Sequence, residues 1–241
     1  MKGVRATLLA VVLSLAGLDA PAYAQWDPGA TASMGQMMGS TNLMIGNLSL
    51  GRAELQRQSG SGAGQGPARG VTFNASPGVA AEFRAKFIET LVKRNPARET
   101  ELRSEFARID IDRAFAHALS IEGLSSLNLG DTVTANWVIS WEIVNNEADP
   151  APVAIRSVAA AVRAKLMANP AITGASDRDK QVLEEQLAYQ TVMAQSAATA
   201  ARASGNAAAL ASLRQALIDK FHGMNVNLTA LRMTDHGFVP K

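Results

Sequence analysis

The sequence predicts an all-α protein: a multi-helix bundle of about six or seven helices, preceded by a signal peptide and a flexible Gly/Met/Ser-rich arm. Three observations predict it. Between about residues 76 and 223, apolar residues recur at three- and four-residue spacing, the period of a helix face. Asn-Pro, Asp-Pro and Gly-Asn pairs punctuate those runs, where one helix stops and another starts. Period-two alternation, which would mark strands, is weak throughout the same region. The predicted organisation is a signal peptide over residues 1–24, a low-complexity arm and linker over 25–72, and a helical domain with an extended C-terminal tail over 73–241.

The N-terminus carries a short basic start (Met1 to Arg5), an apolar run over residues 6–18, and Ala22-Tyr23-Ala24 as a small-x-small cleavage site. The apolar run is too short to span a bilayer comfortably. Cleavage after Ala24 and a periplasmic or secreted destination follow as expectations. The arm is rich in Gly, Met, Asn and Ser. Its second part, QSGSGAGQGPARG (58–70), has the composition of a flexible linker, and NLMIGNLSLG (42–51) could form a short strand or docked segment.

The elements follow in order. Ser76-Pro77 opens the first helix, with Ser as cap and Pro at the first helical position, and Val79, Phe83, Phe87 and Leu91 form its inner stripe. Asn95-Pro96 ends it and starts a short, highly charged second helix. A third begins near Asp110, with Ile111, Phe115, Ala118 and Leu119 inward and Gly123 as its stop. The fourth, roughly Asp131 to Asn145, contains NWVISWEIVNN. Val133, Trp137, Trp141 and Val144 share one face, and Ile139 and Ile143 lie opposite, so the helix is apolar nearly all round and reads as buried. Its two tryptophans read as core rather than as a ligand platform or a membrane anchor.

Asp149-Pro150 opens a fifth helix with Ile155, Val158, Ala159, Val162 and Leu166 inward, closed by Asn169-Pro170 and an ITGA loop. Ser176 to Asp179 forms a capping box for a sixth helix over Asp177–Ala203, about 40 Å long at 1.5 Å per residue. The second half of that helix, AQSAATAARA, is almost entirely small residues, a surface that permits close approach of a neighbour. Gly205-Asn206 breaks it. The seventh carries Leu210, Leu213, Leu217 and Phe221 and stops at Gly223, leaving an extended tail docked through Leu228, Leu231 and Phe238.

Composition excludes several chemistries. The chain has no cysteine, so disulfides, thiolate catalysis, Cys-ligated zinc and iron–sulfur clusters are ruled out. Removing Lys2, Arg5 and Asp19 from 23 basic and 21 acidic residues leaves a net charge of +1, which makes no case for nucleic acid or an anionic membrane. The three histidines, His117, His222 and His236, are scattered, with none at the i, i+4 spacing of a metalloprotease helix. There is no nucleophile elbow, Walker loop or dinucleotide fingerprint, and GSGAGQG (60–66) lacks the Lys-Ser/Thr and preceding strand of a phosphate loop. The sequons at Asn47, Asn74 and Asn227 are set aside, because an Ala-rich, cysteine-free exported chain reads as bacterial.

Two sets of residues carry residual chemistry. Glu142 is an acid inside an apolar helix, where burial would suit it to general-acid work on a glycan or peptide. The bland reading is a bundle-edge acid, or one paired with Arg156 or Arg163. Met34, Met37, Met38 and Met44 could gather thioether sulfurs around Cu(I), against a flexible segment packing opportunistically. Neither reaches an assignment, and no catalytic, cofactor-binding or metal-binding residue is named.

An ordered series of residues carries a resemblance: Phe115 and Leu119 before Gly123-Leu124, the Trp141 helix, Val153 to Val162, Lys180-Gln181 followed by Glu185 and Gln190, and Leu231-x-x-Thr234-x-x-Gly237-Phe238. Over roughly residues 73–238 the chain resembles a family of exported bacterial proteins known only as a domain of unknown function, with the 25–72 region outside the match. The resemblance implies export and a mostly helical domain. It supplies no activity, no cofactor and no catalytic residues.

The function expected from these readings is a non-enzymatic structural or protein-interaction module. Its expected partner is another exported or envelope protein, with no nucleic acid and no transmembrane segment after signal removal. The alternative is small-ligand binding in a pocket near Trp137, Trp141 and Glu142. A cell-wall hydrolase or a Cu(I)-binding protein comes behind both.

Overall fold

The computed structural model describes residues 70–147 and 150–241. The signal peptide, the arm up to residue 69 and the methionine cluster lie outside the described residues. Eight α-helices and a two-stranded sheet are present among them. The helices are α1 (Pro77–Arg94), α2 (Glu99–Arg108), α3 (Ile111–Ile121), α4 (Leu129–Asn145), α5 (Pro152–Met167), α6 (Pro170–Thr173), α7 (Asp177–Ala203) and α8 (Ala207–His222); the strands are β1 (Leu231–Thr234) and β2 (Gly237–Pro240). Single 3-10 turns at Pro96–Arg98 and Leu228–Ala230 precede α2 and β1. No helix among the described residues is long and apolar enough to cross a membrane.

Side-chain caps fix many of the boundaries. Asp110 Oδ1 accepts from Arg113 N at 3.0 Å, and Asn128 Oδ1 accepts from Gly130 N at 2.9 Å. Ser176 and Asp179 form the reciprocal box, with Asp179 N donating to Ser176 Oγ at 3.1 Å and Ser176 Oγ to Asp179 Oδ2 at 2.7 Å. Asn206 Oδ1 accepts from Ala209 N at 2.9 Å. Ser76 departs from expectation. Its side chain caps nothing; its backbone is held by Gln181 of α7, whose Oε1 accepts from Ser76 N at 2.8 Å and whose Nε2 donates to Ser76 O at 3.0 Å. The expected ITGA loop is partly helical, because Asn169 Oδ1 accepts from Ala171 N and winds α6, seating Ile172 in the core.

α7 and α4 form the axis. They run parallel: Leu129 clusters with Leu183 and Leu187, and two turns further along α4 Asn136 Nδ2 donates to Thr191 Oγ1 at 3.0 Å. α1 lies along α7, where Phe83 and Phe87 meet Tyr189 edge-on at 5.2 and 4.9 Å. α8 returns antiparallel against both axial helices. Arg214 Nε donates to Ile143 O at 3.0 Å near one end, and Lys220 reaches Asn136 and Gln190 near the other. α5 packs on α4 closely enough that a Cβ built on Gly130 would stand 2.7 Å from Arg163 Cγ and 3.2 Å from Arg163 Cα. Packing reaches back to Val71 and Phe73, 5% and 4% exposed, with Phe73 N donating to Leu127 O.

The tail is a hairpin rather than a single extended strand. Leu231 pairs with Pro240 and Thr234 with Gly237 across the Asp235-His236 turn. Gly237 takes φ +91°, a conformation L side chains rarely adopt. Leu228 is 1% exposed, and Phe238 packs on Trp141.

Surrounded by α3, α5, α7, α8 and the turn before β1, α4 is enclosed on every side. The all-round burial read from the wheel holds: Val138, Ile139, Trp141 and Ile143 are buried, and Val133, Trp137 and Val144 are half-buried. Asp131, Thr132, Thr134, Asn136, Ser140 and Glu142 are buried as well, on more than one face of the helix, so their polar groups must find hydrogen bonds inside the protein.

Candidate functional site

The tryptophans come first, because the sequence singled them out. Trp141 is 5% exposed, and its indole Nε1 donates to Leu231 O at 2.9 Å, which pins the start of the hairpin. Trp137 meets Phe221 edge-on at 5.6 Å. Both rings are spent on packing between α4, α8 and the hairpin. Glu142 is 3% exposed, so it is not a bundle-edge acid. The Arg163 guanidinium is bound to Asp131. His117, His222 and His236 are all exposed.

Two polar clusters that the sequence reading did not assemble lie along α7. The first is acidic. Asp112 of α3 faces Glu185, and Glu184 and Tyr189 stand beside them. Gln181 Nε2 donates to Glu185 Oε1 at 3.1 Å. Asp112 Oδ1 and Glu185 Oε2 receive no donor from the described protein. Two buried carboxyls in mutual contact, with no donor for the facing oxygens, hold together when one of them is protonated and donates to the other.

The electrostatics agree. Burial, then the Asp112 contact, pushes Glu185 up to about 8. Burial and the neighbouring charges of Glu185 and Asp112 push Glu184 up to about 9. Asp112 is raised by burial and Tyr189 is raised by the same cause. Among the described residues, no three His, Asp or Glu side chains converge in a way that could hold a metal ion.

The second cluster is cationic. Lys220 of α8 is 3% exposed; its ammonium donates to Asn136 Oδ1 at 3.1 Å and to Gln190 Oε1 at 3.3 Å, and burial pushes it down to about 8. Asn136 continues the chain to Thr191, whose hydroxyl donates to Leu187 O at 2.7 Å. Lys180, one turn into α7, is also buried, and its ammonium meets no acceptor among the described residues. The helical spacing of Lys180, Gln181, Glu184, Glu185, Gln190, Thr191 and Gln195 was visible in the sequence. Their burial was not, because a polar stripe on a long helix ordinarily marks its solvent face.

These clusters fill helix–helix seams. An open space does exist elsewhere: a cleft of about 60 Å³ between α2, the small-residue half of α7 and the start of α8. Its deepest lining is Leu102, Phe106 and Leu213; Met193, Ala197 and Ala200 form a half-buried wall, with Arg98 and Glu105 also lining it. The AQSAATAARA surface thus borders this cleft on one side, while Ala194 and Ala198, 3% and 0% exposed, are packed in the core.

No curated protein and no solved structure matches the chain. A protein family does, under the description "Family of unknown function (DUF6683)". That match covers residues 2–240, so it includes the 25–72 region that the resemblance left outside. With nearly its whole length matched, the chain belongs to this family of unknown function.

Proposed function

We propose that the helical domain is a non-enzymatic interaction module that docks another exported or envelope protein, with the 25–72 region as tether or recognition segment. One observation carries this reading: the titratable groups with chemical potential, namely Asp112, Glu184, Glu185 and Lys220, sit in seams between helices, and none of them lines the cleft between α2, α7 and α8. Glycan cleavage needs two carboxyls across an open cleft, and Glu142 is not among the residues that line the cleft. The pocket expected beside Trp137, Trp141 and Glu142 draws no support either, since both rings pack against other aromatics.

The test compares the full chain with a chain beginning at Gly70. Both are purified without denaturation and studied by native mass spectrometry and circular dichroism, with crosslinking in living cells. The expected outcome is an identical helical spectrum for the two, a protein adduct on the full chain, and at least tenfold less adduct on the shortened one. A shortened chain that is folded and retains the partner in full removes the tether from the proposal. A full chain that carries no protein in either the mass spectrum or the crosslinks removes the docking role itself.

A further inference from the structure

The cleft between α2, α7 and α8 combines an apolar interior with an uncommitted charge in its lining. Its volume of about 60 Å³ accommodates roughly four to six water-sized groups, taking about one probe sphere for each. That matches a short aliphatic chain, not a sugar or a nucleotide. Leu102, Phe106 and Leu213 at its depth make no demand for hydrogen bonds, and Ala197 and Ala200 keep the wall flat.

The charges at its edge are unequal in what they can still bind. Arg98 is engaged by Glu101 through a two-point pair, Nε to Oε2 at 2.8 Å and Nη2 to Oε1 at 2.6 Å. Arg108, one turn beyond Glu105, is exposed and donates to Ser104 Oγ at 2.9 Å. Glu105 is half-buried and accepts no hydrogen bond from the described residues. Arg98 and Glu101 cancel, so Glu105 is the net charge facing the apolar interior.

We propose that this cleft binds an alkylammonium group, its aliphatic body against Leu102, Phe106 and Met193 and its cationic head on the Glu105 carboxylate. Burial raises Glu105 above its ordinary value, with Glu101 adding to the shift and Arg98 and Arg108 opposing it, and a cation in place of lost water would offset the cost of burial. Two sources share this chemistry, the lysine side chain of a protein and a free amine. The inference goes beyond the docking role and does not depend on it.

Met193 supplies a local reporter. Full-length protein labelled at its methionine methyl carbons is titrated with n-butylamine hydrochloride, n-butanol and sodium butyrate, the Met193 resonance being assigned from a Met193→Leu variant. The expected result is a saturable shift of the Met193 methyl, with n-butylammonium binding at least tenfold tighter than either competitor. In Glu105→Gln, the Met193 methyl keeps its unliganded position, showing an intact cleft, and the preference of amine over alcohol disappears. Nα-acetyl-lysine amide binding at least as tightly as n-butylamine assigns the site to a protein side chain; weaker binding assigns it to a free amine. Equal affinity for amine and alcohol in the native protein, a preference for butyrate, or no Met193 shift with any probe overturns the proposal.

Discussion

The Trp141 indole does two jobs with one side chain. Its ring packs against Phe238 at 5.9 Å, and its N–H answers Leu231 O, a carbonyl at the edge of a sheet that has no further strand to satisfy it. Asn145, one turn on, donates to Leu228 O at 3.1 Å and so ties down the same approach to the hairpin. Trp141→Phe retains an aromatic ring but orphans the carbonyl and leaves part of the indole volume empty. The expected cost is about 2–3 kcal/mol, from one lost hydrogen bond and a partly filled cavity. Hydrogen exchange localises it: amides of 231–240 lose protection while those of α1 keep theirs. The indole's burial was legible in the sequence as a large ring on a helix apolar nearly all round. Its hydrogen-bond partner was not, because that partner is a backbone carbonyl 90 residues away.

Between elements, the α4–α5 contact depends on an absent side chain. Glycine inside a helix is ordinarily a weakness, and alanine there is ordinarily favourable by roughly 0.5–1 kcal/mol. Gly130 reverses that sign, since the new methyl would press on Arg163, whose guanidinium holds buried Asp131. Asp131 Oδ2 also accepts from Ser125 N at 2.9 Å, so one carboxylate joins α4, α5 and the turn before α4. Gly130→Ala is expected to destabilise by about 1–3 kcal/mol, read from the denaturation midpoint at constant m. Helix boundaries were the most legible features at this scale. Asp177–Ala203 was readable to the residue because Ser176 and Asp179 announce its start and Gly205-Asn206 its end. The hairpin was not, since its strands are four residues each and its turn, Thr234-Asp235-His236-Gly237, lacks the usual paired signature. The two polar clusters escaped for a different reason: hydrophobic periodicity ranks faces by apolarity, and α7 buries polar side chains against α3 and α8.

At the scale of the whole molecule, the buried acids and the buried lysine set how stability follows pH. Glu185 and Glu184 are raised from 4.5 to about 8 and about 9, so between pH 4.5 and those values the folded state binds more protons than the unfolded chain. Stability then falls as pH rises through that window, by up to about 1.4 kcal/mol per pH unit for each group. Lys220 acts in the opposite direction and higher up. Lowered from 10.5 to about 8, it leaves the unfolded chain with more protons between those values, and stability recovers with rising pH there. The expected melting temperature therefore declines from pH 5 to pH 8. In Glu185→Gln and Glu184→Gln, which cannot ionise, the decline should be visibly shallower. A flat profile in the native protein would mean that these carboxyls are solvated in solution.

The C-terminal hairpin also bears on how the chain is made. Lys241 N donates to Ala230 O at 2.8 Å, Lys241 Nζ donates to Asn145 Oδ1, and Ser157 Oγ donates to Asp235 O. The hairpin thus covers α4 and α5 from positions 96 and 78 residues further along the chain. Until the hairpin has been made, Trp141 has no lid. Completion of the core therefore waits on a segment synthesised well after the helices it covers, and a nascent chain that has exposed only those helices stays incompletely folded.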